Sequence, residues 1–259
     1  MTRYTSIAAL LFASLLAACG TKEVQQLTGL DPHGRVRFFN FGVNAPGVNF
    51  YANETKMTAI ASATGTESTT GIAYGGVGAG GAYSSIDAGQ YTLTGKIAAA
   101  TDKDLVISSV NTPIADGKYY SFYMSGFYNT TAKTVEGFVV EDNFAIPTDL
   151  TLATVRFVHA ISNANPMTLY AKSTTTAAET AVGAEMAYKG AGAFVTLPSG
   201  AYDLSTRYTG SATNVITRPG VSFLGGRVYT ITARGDITVA PSTACAAANR
   251  TCLDNTANR

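Results

Sequence analysis

The feature that most constrains the fold of this chain is an internal repeat. The stretch Val36–Phe39 (VRFF) recurs as Val155–Val158 (VRFV), and a tyrosine, Tyr51 or Tyr170, follows the first valine of each copy by fifteen residues. A segment that recurs along a chain in the same order marks a structural unit that is present twice. The repeat therefore predicts two domains of the same fold.

Further landmarks recur in the same order. Ala73-Tyr74 matches Ala187-Tyr188, and Gly117-Lys118-Tyr119-Tyr120 matches Gly226-Arg227-Val228-Tyr229. With these landmarks the two copies extend over residues 35–146 and 147–240. We call them repeat one and repeat two.

Within each copy the side chains alternate with the period of a β-strand. Tyr120, Phe122 and Met124 of repeat one correspond to Tyr229, Ile231 and Ala233 of repeat two, with different residues between them. Period-two alternation bounded by glycine-containing turns indicates half-buried strands. Many short strands in units of about 100 residues predict an all-β protein with two tandem immunoglobulin-like β-sandwich domains.

The first residues have the layout of an export signal. One basic residue, Arg3, precedes an apolar run from Ile7 to Ala18 that is too short to span a bilayer as a helix. The run ends in Leu16–Cys19 (LAAC), which resembles the lipobox of bacterial lipoproteins. The resemblance implies a signal peptide over residues 1–18, lipidation of Cys19 and a tether over residues 19–34. Since Gly20 follows the cysteine where inner-membrane lipoproteins tend to carry aspartate, it also implies the outer membrane.

The charge balance limits the partners. Without Arg3 the chain holds 17 basic and 17 acidic residues, so its net charge offers no general attraction to nucleic acid or to anionic lipid. We expect contact with the membrane through the lipid at Cys19 and a glycan or protein ligand in the envelope.

Two further cysteines, Cys245 and Cys252, lie in a polar C-terminal tail over residues 241–259. Because export places them in an oxidising compartment, the sequence predicts a disulfide between them. The alternative is a metal or redox site of the CxxC type, which this longer spacing does not favour.

The repeat landmarks also resemble the family of tandem domains of unknown function 4397, found in exported bacterial proteins and lipoproteins. The segment Val155–Ala160 (VRFVHA) carries the closer match, and Asn40 of repeat one departs from it where repeat two has His159. The resemblance covers about residues 35–239. It implies an extracytoplasmic β-sandwich and no established reaction.

No set of residues predicts catalysis or a cofactor. The only histidines are His33, in the tether, and His159, in a strand, where a structural hydrogen-bonding role is expected. The glycine-rich run 76–81 has the spacing of a phosphate-binding loop but opens no helix, so it predicts an inter-strand loop. Asp102 and Asp104 predict a surface turn, because the neighbouring residues offer no further metal ligands. Glu141-Asp142 predicts a strand end.

Aromatic residues offer the better lead. Tyr119 and Tyr123 alternate with the core positions of their strand, and repeat two has Val228 and Thr232 in their place. They are candidate ligand contacts on a solvated sheet face, the alternative being cross-strand packing on that face. Arg37 and Arg156 occupy equal positions in the two copies, which predicts a role in the fold through ring stacking or a charge pair.

These observations favour a non-enzymatic, lipid-anchored envelope protein with a binding or adhesive role. One alternative is a structural spacer without a discrete ligand. Another is a hydrolase of envelope polymers, which would need two carboxylates about 5 to 9 Å apart in one cleft.

Overall fold

The computed structural model describes residues 33–60, 66–240, 245 and 250–258. The signal peptide, Cys19 and nearly all of the tether lie outside these residues. Within the described part of the chain, no helix is long and apolar enough to cross a membrane.

The fold is nearly all β, as the alternating pattern predicts. A 3-10 helix occupies Gly78–Gly81. The strands are β1 Gly34–Val43, β2 Val48–Ala52, β3 Thr55–Lys56, β4 Gly76–Val77, β5 Ser84–Ile86, β6 Gly89–Ile97, β7 Val106–Ile114, β8 Tyr119–Asn129 and β9 Thr134–Glu141 in repeat one, and β10 Leu152–Ala160, β11 Met167–Ser173, β12 Glu179–Ala181, β13 Val195–Pro198, β14 Gly200–Tyr208, β15 Ile216–Phe223, β16 Val228–Arg234 and β17 Cys252–Ala257 in repeat two.

Each repeat is a sandwich of two sheets. In repeat one, the sheet β3-β2-β6-β7 packs on the sheet β4-β1-β8-β9, in which β5 also pairs with β1. In repeat two, the sheet β12-β11-β14-β15 packs on the sheet β13-β10-β16-β17. We call the sheets that contain β1 and β10 the inner sheets. The two predicted β-sandwich domains are confirmed.

Each sandwich has a hydrophobic core of its own. Phe38, Phe50 and Phe122 are among the buried residues of the first core, and Phe157, Leu169 and Phe223 are among those of the second. Alternate side chains of β1 and β10 point into these cores, since successive strand residues face opposite sides of a sheet.

The two inner sheets also pack against each other. Phe39, Phe41, Tyr123 and Phe138 of repeat one form a third buried cluster with residues of β10, among them Val158. Both inner sheets contain a parallel central pair, β1 with β8 and β10 with β16, and parallel strands are usually covered on both faces. The residues from 33 onward consequently form one compact unit.

The end of the chain completes the second inner sheet. The sequence predicts a polar tail over 241–259, but Cys252–Ala257 forms β17, which pairs antiparallel with β16. The predicted disulfide between Cys245 and Cys252 is present. Strand β17 is thus the counterpart of β9, which pairs antiparallel with β8 in repeat one.

Candidate functional site

The face that holds Tyr123 is buried where the inner sheets of the two repeats pack together, a contact that we call the junction. The ring of Tyr123 is 0% exposed and stacks on Phe39, with ring centroids 4.6 Å apart, and on Phe138, at 5.0 Å. The prediction that Tyr123 is a ligand contact on a solvated face is therefore wrong. Thr232, its counterpart in repeat two, is buried on the opposing inner sheet. In an isolated domain, a threonine or an arginine on a sheet face indicates that the face is exposed to solvent. That inference fails here because the two repeats cover each other's inner sheets.

Tyr119 lies at the rim of this junction and is half-buried. Its ring meets Tyr83 edge-on at 5.0 Å and Phe144 at 5.1 Å, and the guanidinium of Arg35 lies over it at 5.1 Å. Tyr119 is thus part of an aromatic cluster and not of the predicted stripe with Tyr123.

Arg37 and Arg156 confirm the predicted role in the fold. Both side chains are buried in the junction, and each donates from Nε to a hydroxyl of the neighbouring strand, Ser121 or Thr230, at 3.1 Å. Each also reaches across to the other repeat: Arg37 donates to the Ala257 carbonyl at 3.0 Å and Arg156 to that of Glu141 at 3.2 Å. The two arginines therefore hold the repeats together by equivalent bonds.

One carboxylate serves both arginines. Asp142, which ends repeat one's inner sheet, forms an ion pair with Nη2 of Arg156, and its Oδ2 lies 3.9 Å from Nη2 of Arg37. Asp142 is buried and also accepts hydrogen bonds from Ser121 at 2.6 Å and from the Tyr83 hydroxyl at 2.5 Å. A buried carboxylate is tolerated only when it is paired and hydrogen-bonded in this way. The sequence predicts no such role for this strand-end residue.

The counterpart of Asp142 in repeat two is neutral. The Asp142 N–H donates to the Tyr119 carbonyl at 2.7 Å, and the Asn258 N–H donates to that of Val228 at 2.7 Å, so both residues end equivalent strands. The Asn258 side chain accepts from Thr230 at 2.8 Å and donates to the Tyr83 hydroxyl at 2.9 Å. This network thus pairs Arg37 and Arg156 with a single carboxylate, that of Asp142, and Arg37 Nη2 makes no hydrogen bond.

Tyr83 links the two halves of this network through its hydroxyl. Burial raises the pKa of Tyr83 above its usual value, and the nearby charge of Asp142 raises it further. The hydroxyl therefore stays protonated and donates to Asp142 while it accepts from Asn258. The guanidinium of Arg37 covers the Tyr83 ring at 4.6 Å.

A third arginine secures the far side of the junction. Arg234 is buried, forms an ion pair with Asp254 and lies 5.3 Å from the ring of Phe41 and 4.8 Å from that of Tyr74 in repeat one. Gly75 has a positive φ of 79°, and a Cβ there would lie 2.9 Å from Arg234 Nη2. Repeat one has Ser125 at the position of Arg234. Comparison of the copies therefore does not reveal Arg234 as it reveals the equivalent arginines Arg37 and Arg156.

His159 has a structural role, as predicted. The Ile161 N–H donates to its Nδ1 at 3.2 Å, so its Nε2 carries the proton and donates to the Asn165 carbonyl at 3.2 Å. Asn40 makes the same two contacts with the residues two and six positions after it, at 3.3 and 3.2 Å. The histidine and the asparagine are therefore equivalent.

The protonation of His159 makes a testable contribution to stability. Burial lowers the pKa of His159 below its usual value. Because the unfolded chain takes up this proton at about pH 6.5, stability is fully present above that pH and is lost as the pH falls below it, by at most about 1.4 kcal/mol per pH unit. We expect H159N to match the wild type at pH 7.5 to within about 1 kcal/mol and to lose less stability on acidification to pH 5.5. Urea unfolding at the two pH values measures both, and parallel losses in the two proteins would contradict the assignment.

The other sites weighed in the sequence hold no ligand-binding geometry. The glycine-rich run 76–81 forms β4 and the 3-10 helix. Asp102 is exposed and pairs with Lys133 at 2.7 Å, and His33 lies 3.0 Å from Asp87. The sulfur atoms of Cys245 and Cys252 lie near Asp254, but the disulfide occupies both.

A cleft opens beside this junction, beneath the segment 143–149 that links the two repeats. Its volume is about 690 Å³. Apolar side chains line it on the linker side, Ile146 and Pro147, and on the side of repeat two, Leu152 and Phe194. Arg156 forms part of its wall, with its guanidinium 4.7 Å above the Phe194 ring. We call this space the linker cleft.

The comparison with protein families agrees with the internal repeat. A family model described as a domain of unknown function, DUF4397, matches residues 34–151 and 153–255. The chain belongs to the DUF4397 family. The second match extends into β17, in agreement with the place of this strand in repeat two. No curated protein matches the chain.

Two solved structures have a distant likeness to this pair of DUF4397 domains. The Bacillus anthracis TIE protein has 14% identity and a TM-score of 0.25, and the match covers 79% of this chain and 34% of that protein. A leucine-rich repeat protein from Bacteroides thetaiotaomicron has 14% identity and a TM-score of 0.20, over 77% of this chain and 26% of that protein. The chain thus spans about a third and about a quarter of their lengths.

Proposed function

We propose that this protein is a lipid-anchored protein of the outer envelope that presents its two fused repeats as a non-catalytic binding module, with the ligand in the linker cleft. The observation that carries the proposal is the cleft itself. A volume of about 690 Å³ lies within the range of about 300–1,000 Å³ that is typical of ligand sites. Its apolar walls with a few polar groups are also typical of such sites.

The carboxylates of the cleft support binding over hydrolysis. Glu141 and Asp149 line it, but the Glu141 side chain forms an ion pair with Lys118 at 2.9 Å. Hydrogen bonds from the hydroxyl and the N–H of Thr151 hold the pKa of Asp149 below its usual value. A glycosidase needs a carboxyl group whose pKa is raised so that it can donate a proton. Asp149 is therefore not prepared for that role, and the Glu141 side chain is held by Lys118.

Photo-crosslinking in intact cells tests the proposed site. Ile146 is 58% exposed at the mouth of the cleft, so a photoreactive phenylalanine analogue there should capture a discrete species. Val106 on β7 is 43% exposed and does not line the cleft, which makes it the matched control. We expect a captured species at position 146 and none at position 106. Equal labelling at both positions, or none at either, would favour a structural spacer and contradict the proposal.

The anchor has a separate test. Cys19→Ser removes the thiol that accepts the diacylglyceryl group, so we expect the variant to incorporate no labelled palmitate and to accumulate as an unprocessed precursor. Metabolic labelling followed by membrane fractionation measures both effects. The matched control is Cys252→Ser, which removes a cysteine from the disulfide and should leave labelling intact. Labelling of the Cys19→Ser protein would overturn the lipid anchor.

A further inference from the structure

One wall of the linker cleft is the free edge of a β-sheet. Strand β13 pairs with β10 on one side and with no strand of the described chain on the other. Thr196 and Phe194 at this edge both line the cleft. An unpaired strand edge presents main-chain donors and acceptors that another strand can bind.

The register shows which backbone groups point outward. The Ser199 N–H donates to the Thr151 carbonyl at 2.8 Å, and Leu152 lies opposite Pro198. Since hydrogen-bonded pairs alternate along an antiparallel ladder, Val195 and Leu197 bond to β10. The N–H and C=O of Thr196 therefore point away from β10, at the open edge of the sheet and beside the cleft that Thr196 lines.

The pairing of β10 supports this orientation. The Thr154 N–H donates to the Arg227 carbonyl at 2.9 Å, and the Gly226 N–H donates to the Leu152 carbonyl at 2.8 Å, so the even-numbered residues of β10 bond toward β16. Thr154 lies opposite Thr196, and the alternation makes this a non-hydrogen-bonded pair. The Thr196 backbone groups are consequently available to a further strand.

From this geometry we infer that the ligand of the linker cleft is an extended polypeptide segment that adds to the edge of β13 as a fifth strand of the inner sheet. The inference rests on the proposed function, because it names the ligand class of the same site. Main-chain hydrogen bonds to Thr196 hold the segment, and its alternate side chains meet Ile146 and Pro147 of the linker. This is the arrangement by which exposed sheet edges recognise peptides.

The aromatic groups of the cleft favour a peptide over a glycan. A sugar would stack on an open ring face, but Arg156 lies over the Phe194 ring at 4.7 Å and Phe144 meets that ring edge-on at 5.8 Å. The ring of Tyr119, at the other end of the cluster, is covered by Arg35.

A single imino acid tests the inference. Thr196→Pro removes the outward N–H, which no strand of the protein uses, whereas Thr196→Val changes the side chain and keeps the N–H. Edge positions of this kind tolerate proline, so both variants should fold. We would select binders to the wild-type protein from a phage library of random dodecapeptides and measure a selected synthetic peptide by fluorescence polarisation. We expect T196P to bind at least tenfold more weakly than T196V, since both variants lose the threonine hydroxyl but only T196V keeps the N–H.

Changes on the peptide provide the second measurement, which does not depend on the stability of T196P. N-methylation of the peptide amides that face β13 should abolish binding. N-methylation of the alternate amides, which face away from β13, should leave binding intact. Selection of no peptide, or binding that neither T196P nor N-methylation weakens, would overturn the strand addition. A glycan or lipid captured at position 146 would also overturn it while leaving the proposed binding site intact, so the two failures are distinguishable.

Discussion

Asp142→Asn is expected to destabilise the protein by about 3–5 kcal/mol, the usual cost of breaking a buried ion pair. Asp142 is the carboxylate that pairs with both Arg37 and Arg156, and both guanidinium groups are buried. The amide leaves two buried positive charges without a counter-charge and offers one acceptor oxygen where the carboxylate has two. Urea unfolding of the mature chain measures the loss.

Two controls accompany this variant. Glu141→Gln alters the adjacent residue, whose ion pair with Lys118 is exposed, and should cost less than about 1 kcal/mol. The double variant D142N/N258D moves the carboxylate to the equivalent position in repeat two, next to the strand whose carbonyl binds Arg37, and should recover part of the loss. A D142N protein as stable as the E141Q protein would contradict the central role of Asp142.

Tyr123→Ala is expected to lower the free energy of unfolding by about 3–5 kcal/mol, because it leaves a cavity between Phe39 and Phe138. Tyr123→Phe keeps the stacked ring and should change the free energy of unfolding by less than about 1 kcal/mol. Tyr119→Ala, at the half-buried rim, should cost clearly less than Tyr123→Ala. Denaturation midpoints of the three variants provide the test, and a Y123A protein as stable as wild type would show that the inner face is solvated.

The fold was predictable because the repeat and the period-two pattern reflect local requirements. Each copy needs apolar residues at alternate positions to build its own core, and Phe38 with Phe157 marks those positions in both. Strand β17 was not predictable from its own residues, Cys252–Ala257, of which only the first two are buried and apolar. The signal for it was the repeat itself. Because β9 follows β8 in repeat one, the repeat predicts an equivalent strand after β16 in repeat two.

The candidate site was harder to predict because it depends on contact between the copies. Arg37 and Arg156 recur, which indicates a shared structural role, but the sequence gives no sign that one aspartate, Asp142, pairs with both. The face of β16 that is buried in the junction carries Thr230, Thr232 and Arg234. Such polar residues predict a solvent-exposed face unless the surface that covers them is known. The linker cleft likewise arises only when the segment 143–149 is placed beside β13.

The structure also explains why some equivalent positions of the two repeats accept different residues while others depend on one residue. His159 and Asn40 satisfy the same two backbone groups, so either residue serves. Asp142 and Asn258 are equivalent in place but unequal in charge, because Asp142 alone supplies the negative charge that two buried arginines require. Duplication therefore left a symmetric backbone with asymmetric electrostatics.

The most direct test of this account is differential scanning calorimetry of the mature chain in detergent. If the two repeats share a buried core and one ion-pair network, they unfold together. We expect a single transition whose calorimetric enthalpy equals its van't Hoff enthalpy, and D142N should lower its midpoint. Two separate transitions in the wild-type protein, or a D142N midpoint equal to that of the wild type, would contradict the account.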